Sequence, residues 1–315
     1  MSDAQRVRPD SEICLGIEGA RNLIARAFPK LGRASIVPLG EGLDNYAFVV
    51  NDAWVVRFPR RQMGADCLAV ERRVLPGLRG LPLAIPAPTL HGEVEDYPWP
   101  FLGYEYLNGR PFTEFSSAVD ELEPLVLPTA RFLATLHAID TAAGRELGAP
   151  EDELRRVDAD FRMPQARERL ASLAKDGRLD LAPCRRVLDR IADDPPEARV
   201  TCLCHGDFGL RHVLVDDDGE PMGVVDWGDV HVGDPAVDLA VAWSFPERLR
   251  DRFWSAYGPI DAERHRLVLV RAIGYAAAVA AWATGAGQEG ALADALRMLD
   301  HVGQLADAPF PGETS

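Results

Sequence analysis

Lysine is scarce in this 315-residue chain: Lys30 and Lys175 are the only two among 34 basic residues. No run rich in lysine and arginine stands out. Against 49 acidic residues the balance is a net charge of −15, with a pI near 4.9. A surface of that sign repels nucleic acid and anionic membranes, so neither is an expected partner. The acidic balance favours a cationic partner or substrate, though solubility alone explains it equally well. Cysteine is also sparse. Cys14, Cys67, Cys184, Cys202 and Cys204 form an odd, scattered set, which argues against a disulfide framework in a chain of this length. No apolar stretch follows the charged start at Arg6 and Arg8, so no secretory leader is visible. The most apolar helical run, Ala272 to Ala283, is shorter than the ~20 residues a bilayer span needs and reads as a buried helix. These absences together point to a cytoplasmic chain. There is no internal repeat, and no low-complexity tract beyond that alanine-rich segment.

What is present supports a substantial core: 47% of residues are hydrophobic and 26% charged. To about Leu107 the pattern is mixed. A helix is expected over Ala20–Phe28. Strands are expected over Ser35–Leu39, Tyr46–Val50, Trp54–Phe58 and Phe101–Leu107, with a helix over Cys67–Leu78. Asn51-Asp52 is a turn signal between two of these strands. Asn108-Gly109-Arg110-Pro111 is a turn, and a lobe boundary is placed there, dividing the chain into 1–107 and 108–315. Beyond it helical patterns dominate. Leu125–Ile139 reads as a core helix and Glu151–Asp194 as charged and helical. Short strands are expected at Val200–Cys204, His212–Val215 and Met222–Val225, and helices from Leu239 onward.

The chemistry concentrates between His205 and Leu239. The chain reads His205-Gly206-Asp207-Phe208-Gly209-Leu210-Arg211-His212, then Val224-Val225-Asp226-Trp227-Gly228-Asp229, then Gly233-Asp234-Pro235 and Asp238. Asp207 and Asp226 each end a β-like run and are followed two residues on by a glycine, Gly209 and Gly228, where loops display reactive side chains. Two carboxylates on neighbouring strand ends can converge on one cleft. One can accept a hydroxyl proton and the other can hold Mg²⁺, which favours oxygen ligands. Phosphoryl transfer needs that pair.

This run resembles the aminoglycoside phosphotransferase family, which shares the protein-kinase fold. The resemblance implies an α+β, two-lobed, kinase-like fold, with a small β-rich nucleotide lobe and a larger helical lobe. It implies transfer of the γ-phosphoryl group of ATP or GTP to a hydroxyl of a small molecule. Asp207 matches the catalytic aspartate, Asp226 the metal-binding aspartate, and His205 a residue that holds the loop from beneath. His212 stands where the second metal ligand is usually asparagine. Macrolide phosphotransferases and 2''-type aminoglycoside phosphotransferases, both known for using GTP, also carry histidine there. Asp229, Asp234 and Asp238 are candidate substrate contacts; for Asp234 and Asp238 a structural role is at least as plausible.

Upstream, Gly40-Glu41-Gly42-Leu43-Asp44-Asn45 joins two β-like runs, and its Gly40 and Gly42 can lay backbone N–H groups over phosphates. Trp54-Val55-Val56-Arg57-Phe58-Pro59 matches the strand that carries the kinase lysine, here replaced by Arg57, with Glu71 as its partner. Glu105, Tyr106 and Leu107 resemble the hinge whose backbone faces the nucleotide base. Cys202-Leu203-Cys204-His205 lacks zinc spacing, and Asp216-Asp217-Asp218-Gly219 is a hairpin turn. The acceptor implied is a cationic antibiotic of the aminoglycoside or macrolide class, held under acidic walls. The rivals are a metabolic small-molecule kinase, a pseudokinase that only binds nucleotide or a small molecule, and a phosphohydrolase built on Asp226, Asp234 and Asp238.

Overall fold

The structure, a computed structural model, describes residues 11–312 except 33, 43, 117 and 178. Arg6, Arg8 and Leu43 therefore lie outside the described residues. Helix α1 (Ile17–Ala27) precedes strands β1 (Ile36–Glu41), β2 (Asn45–Val50) and β3 (Trp54–Pro59), then helix α2 (Gln62–Val74) and strands β4 (Leu90–Gly92) and β5 (Phe101–Glu105). The five strands form one antiparallel sheet in the order β1-β2-β3-β5-β4. Asn51 and Asp52 make the β2–β3 turn with φ of 54° and 53°, a left-handed conformation that Asn and Asp tolerate better than most residues. Phe48, Phe58, Tyr97 and Phe101 interlock beneath the sheet; the Phe58 and Phe101 rings are 4.4 Å apart.

The second region begins with β6 (Arg110–Pro111), α3 (Phe112–Phe115), α4 (Glu123–His137), α5 (Thr141–Glu146), α6 (Ala159–Leu173) and α7 (Ala182–Ala192). Strands β7 (Cys202–Cys204), β8 (Val213–Val215), β9 (Pro221–Val224) and β10 (His231–Gly233) follow, then helices α8 (Ala236–Leu239), α9 (Glu247–Tyr257), α10 (Ala262–Ala286) and α11 (Glu289–Gly303). β7 pairs with β10, and β8 lies between β6 and β9. This is the α+β arrangement expected: a sheet-based N-terminal region and a mostly helical C-terminal one. Their apolar cores are separate clusters, although Val74, Leu75, Leu78 and Leu83 pack into the helical one.

Three expectations are corrected. The helix placed at Cys67 starts five residues earlier, at Gln62, and its expected end is a 3-10 turn over Leu75–Gly77. His212 closes a 3-10 turn instead of opening a strand, so its ring faces the loop. The alanine-rich run belongs to a 25-residue helix, α10, long and apolar enough to cross a membrane. However, 67% of its most apolar window is buried within the protein. The small side chains let α6 and α11 pack close along its length, which makes it a core helix.

Candidate active site

The loop after β7 is held by a buried carboxylate. Asp238 has no solvent exposure and accepts the backbone N–H groups of His205 (2.7 Å) and Gly206 (2.9 Å). His137 Nε2 lies 3.1 Å from the same carboxylate. Gly206 has φ +89°, and a Cβ there would meet the Asp229 carbonyl at 2.1 Å; glycine is required both for the turn and for the close approach. From the other side Arg271 donates to the Gly206 carbonyl (3.1 Å). His205, fully buried, donates from Nε2 to the Val225 carbonyl (3.2 Å) and packs against Trp227. The result is a loop in which Asp207 has little freedom.

The Asp207 carboxylate accepts a charge-assisted hydrogen bond from Arg211 (2.5 Å), whose other nitrogen donates to the Tyr275 hydroxyl. Burial alone would push the Asp207 carboxyl up, but Arg211, with His212 and Arg271, holds it well below the usual carboxylate range. Asp207 is ionised throughout the physiological range.

Asp226 follows β9 with φ +66°, an uncommon conformation for a residue with a side chain. It turns the carboxylate into the cleft, where it is about half exposed (51%). Arg57 lies 3.4 Å from one oxygen and His212 Nε2 3.4 Å from the other. Burial pushes the Asp226 carboxyl up, but His212 and Arg57 bring it below its ordinary value. Burial, reinforced by Arg211, depresses the His212 imidazole to about 4, so it is neutral near pH 7. Its Nδ1 lies 3.0 Å from the Asp207 carbonyl, which can only accept, so Nδ1 carries the proton. Nε2 then turns a lone pair toward the Asp226 carboxylate with no proton between them. A cation resolves that opposition of two acceptors. The donor set thus fits a divalent ion, with the carboxylate as the better ligand for a hard one.

On the sheet side, Arg57 donates to both oxygens of Glu71 (2.7 and 2.8 Å). Burial disfavours the guanidinium charge, but Glu71 and Asp226 more than offset that, and Arg57 stays protonated. Gly42 reaches the cavity wall, but its N–H is taken by the Asn45 carbonyl (3.0 Å), and Gly40 lies within β1 opposite Ala47. Glu105, Tyr106 and Leu107 do not line the cavity. The Tyr106 N–H is bound to the Ala53 carbonyl (2.8 Å), and Tyr104 is the residue of that strand that reaches the wall.

Gly42, Arg57, Tyr104, Asp207, Arg211, His212 and Asp226 face one open cavity of about 740 Å³ between the sheet and helices α6 and α10. Asp229 lines it, bonded to Arg156, which also donates to Asp152 (2.5 Å). Asp234 and Asp238 do not line it. Asp234 is buried and accepts from the backbone of Arg199 (2.8 Å) and Ala236 (2.9 Å) and from Arg264 (3.1 Å). Neither carboxylate converges with Asp226, so the phosphohydrolase arrangement is absent, and their burial as structural clamps corrects the reading of them as substrate contacts. The wall expected to be acidic is mixed: Asp44, Glu114, Asp207, Asp226 and Asp229 line it together with several arginines. Beyond Asp207 the wall carries Arg156, Arg162, Arg169, Arg211 and Arg271. Sequence reasoning assigned none of these arginines a role. Arg211 sat inside the quoted motif, and the seven-residue spacing of Arg162 and Arg169 on one helix was the signal available for that pair.

Known proteins resemble this chain over most of its length. A model of the phosphotransferase enzyme family (APH) matches residues 35–268. Viomycin phosphotransferase from Streptomyces vinaceus is 31% identical over 296 residues, covering 89% of this chain and 98% of that protein. Among solved structures, the GDP complex of wild-type aminoglycoside 2'-phosphotransferase-IIIa is 25% identical and superposes with a TM-score of 0.68, covering 92% of this chain and 99% of that one. A GDP and kanamycin complex of an APH(2") protein is 26% identical with a TM-score of 0.66, over 89% of this chain and 97% of that one.

Proposed function

The chain belongs to the phosphotransferase enzyme family, and on that premise we propose that it is a small-molecule kinase moving the γ-phosphoryl group of ATP or GTP to a hydroxyl of an antibiotic-like natural product. The observation that carries this reading is the convergence of Asp207, Asp226 and Arg57, the last fixed by Glu71, on one cavity. In this reading Arg57, fixed by Glu71, grips the donor phosphates. The Asp226 carboxylate, with His212 beside it, would hold Mg²⁺, which neutralises phosphate charge when bound. Asp207 accepts a hydrogen bond from the acceptor hydroxyl and aims its oxygen at the γ-phosphorus. The new O–P bond forms as the bond from that phosphorus to the bridging oxygen breaks, and the nucleoside diphosphate leaves.

The depressed Asp207 pKa bears on its role. A carboxylate so weakly basic takes little of the proton early in the reaction, so its contribution is orientation, with the proton lost late along the coordinate. The Arg211 bond that lowers its basicity also fixes its direction.

The test is nucleoside diphosphate release, with ATP and with GTP in the presence of Mg²⁺, across a panel of hydroxyl-bearing natural products and metabolites. Acceptor-stimulated release that drops by at least ~10²-fold in Asp207→Asn, with nucleotide affinity retained, is the expected result. Release that no acceptor stimulates, or that Asp207→Asn leaves intact, refutes the reading.

A further inference from the structure

Three cavity-lining guanidiniums make no salt bridge to a carboxylate among the described residues. Arg162 donates to the carbonyls of Leu154 and Arg155 and to Gln165. Arg169 makes one long contact, 3.4 Å to the Gly274 carbonyl. Arg271 donates to the carbonyls of Gly206 (3.1 Å) and Val237 (3.3 Å). The two neighbouring arginines differ: Arg211 has Asp207, and Arg156 has Asp152 and Asp229. Each carboxylate near the reacting end is thereby already matched, and Glu114, on the short helix α3, is exposed to solvent. A protein of net charge −15 has placed three guanidiniums without a salt-bridge partner among the described residues at one end of this cavity.

We infer that the phosphoryl acceptor carries an anionic group, a carboxylate or a phosphate ester, received by Arg162, Arg169 and Arg271, while its hydroxyl meets Asp207. This rests on the kinase reading for the hydroxyl, but the anion site stands on its own geometry. Arg162 and Arg169 are seven residues apart on α6 and so share one face; Arg271 comes from α10, which packs against α6. Val270, Gly274, Ala278 and Trp282 supply an apolar floor beside them. Guanidiniums so placed repel one another and lack full hydration. Burial, then the neighbouring arginines, depresses Arg162, and burial brings Arg271 down to about 10. A bound anion relieves both costs, and the planar fork of arginine suits carboxylate and phosphate alike. A polycationic acceptor would add to the repulsion.

Two measurements test this on the full chain. In the first, protein saturated with Mg²⁺ and a non-hydrolysable nucleoside triphosphate is titrated calorimetrically with malate and with glycerol 3-phosphate, which separate a carboxylate site from a phosphate one. At least one should bind, and Arg162→Gln/Arg169→Gln should weaken it by about tenfold or more while nucleotide affinity stays within about twofold. Arg169→Gln alone, which loses a single long contact, should weaken it in the same direction and guards against misfolding of the double variant. Equal anion binding by wild type and variants, or a parallel loss of nucleotide affinity, overturns the inference. In the second, acceptor-stimulated diphosphate release is compared for anionic and cationic hydroxyl compounds. A cationic acceptor whose kcat/KM is untouched by the arginine substitutions also overturns it, and leaves the kinase reading standing. Arginine-dependent anion binding without release by any acceptor supports the anion site and counts against the kinase reading instead.

Discussion

Removing Glu71 separates the structural from the functional share of the Arg57–Glu71 pair. Glu71 is 1% exposed and Arg57 11% exposed, and two short bonds join them. Breaking a buried pair on one side costs about 3–5 kcal/mol, because the partner charge is left uncompensated. Here Arg57 retains Asp226 at 3.4 Å, so Glu71→Leu should fall near the lower end, about 3 kcal/mol. With an unfolding entropy of about 2.1 cal/mol/K per residue, the melting temperature should drop by roughly 4–5 °C. The freed Arg57 should also swing onto Asp226 and compete with a bound cation. Arg57→Met/Glu71→Leu removes both charges and should recover most of the lost stability. It should not recover transfer, since the guanidinium that grips the phosphates is gone. The assays are thermal unfolding and nucleotide KM on the two single variants and the double. A double variant as unstable as Glu71→Leu would show that the pair is not the source of the loss. A double variant with wild-type KM would show that Arg57 does not touch the nucleotide.

Asp226→Ala should abolish the Mg²⁺-dependent part of nucleotide binding in a titration with and without the ion; unchanged affinity with Mg²⁺ present would remove Asp226 from that role. Asp238→Asn should lower kcat with little change in nucleotide affinity, because it loosens the loop beneath Asp207 and touches neither ligand; a change in affinity alone would contradict this. His212 gives a pH prediction. Its folded pKa, about 4, lies below the unfolded value of 6.5, so between them the unfolded chain binds a proton that the folded one does not. Stability should therefore fall on acidification from about pH 6.5 towards 4, and His212→Asn should flatten part of that slope in unfolding scans at fixed ionic strength.

The catalytic stretch was legible because it is local. His205 through Asp229 holds both reactive carboxylates, the glycine that allows the loop and the histidine between them, and these fall on the loops that follow β7 and β9. Arg57 and Glu71 were legible through the family resemblance, which places a cation on that strand and its glutamate partner on the helix that follows. The roles of Asp234 and Asp238 were ambiguous because a carboxylate near a glycine loop suits substrate or backbone equally well; only burial decides.

The sequence by itself determined the two-carboxylate centre, because its residues lie close along the chain, and it determined the fold class through the family resemblance that this stretch carries. The gathering of arginines at one end of the cavity was decided only by tertiary structure. Arg271 reaches a carbonyl 65 residues away, and Arg156 a carboxylate 73 residues away. A chain-wide charge of −15 averages over the whole surface. It is the packing of α6 against α10 that gathers arginines from distant segments into one wall, beyond the reach of composition or periodicity.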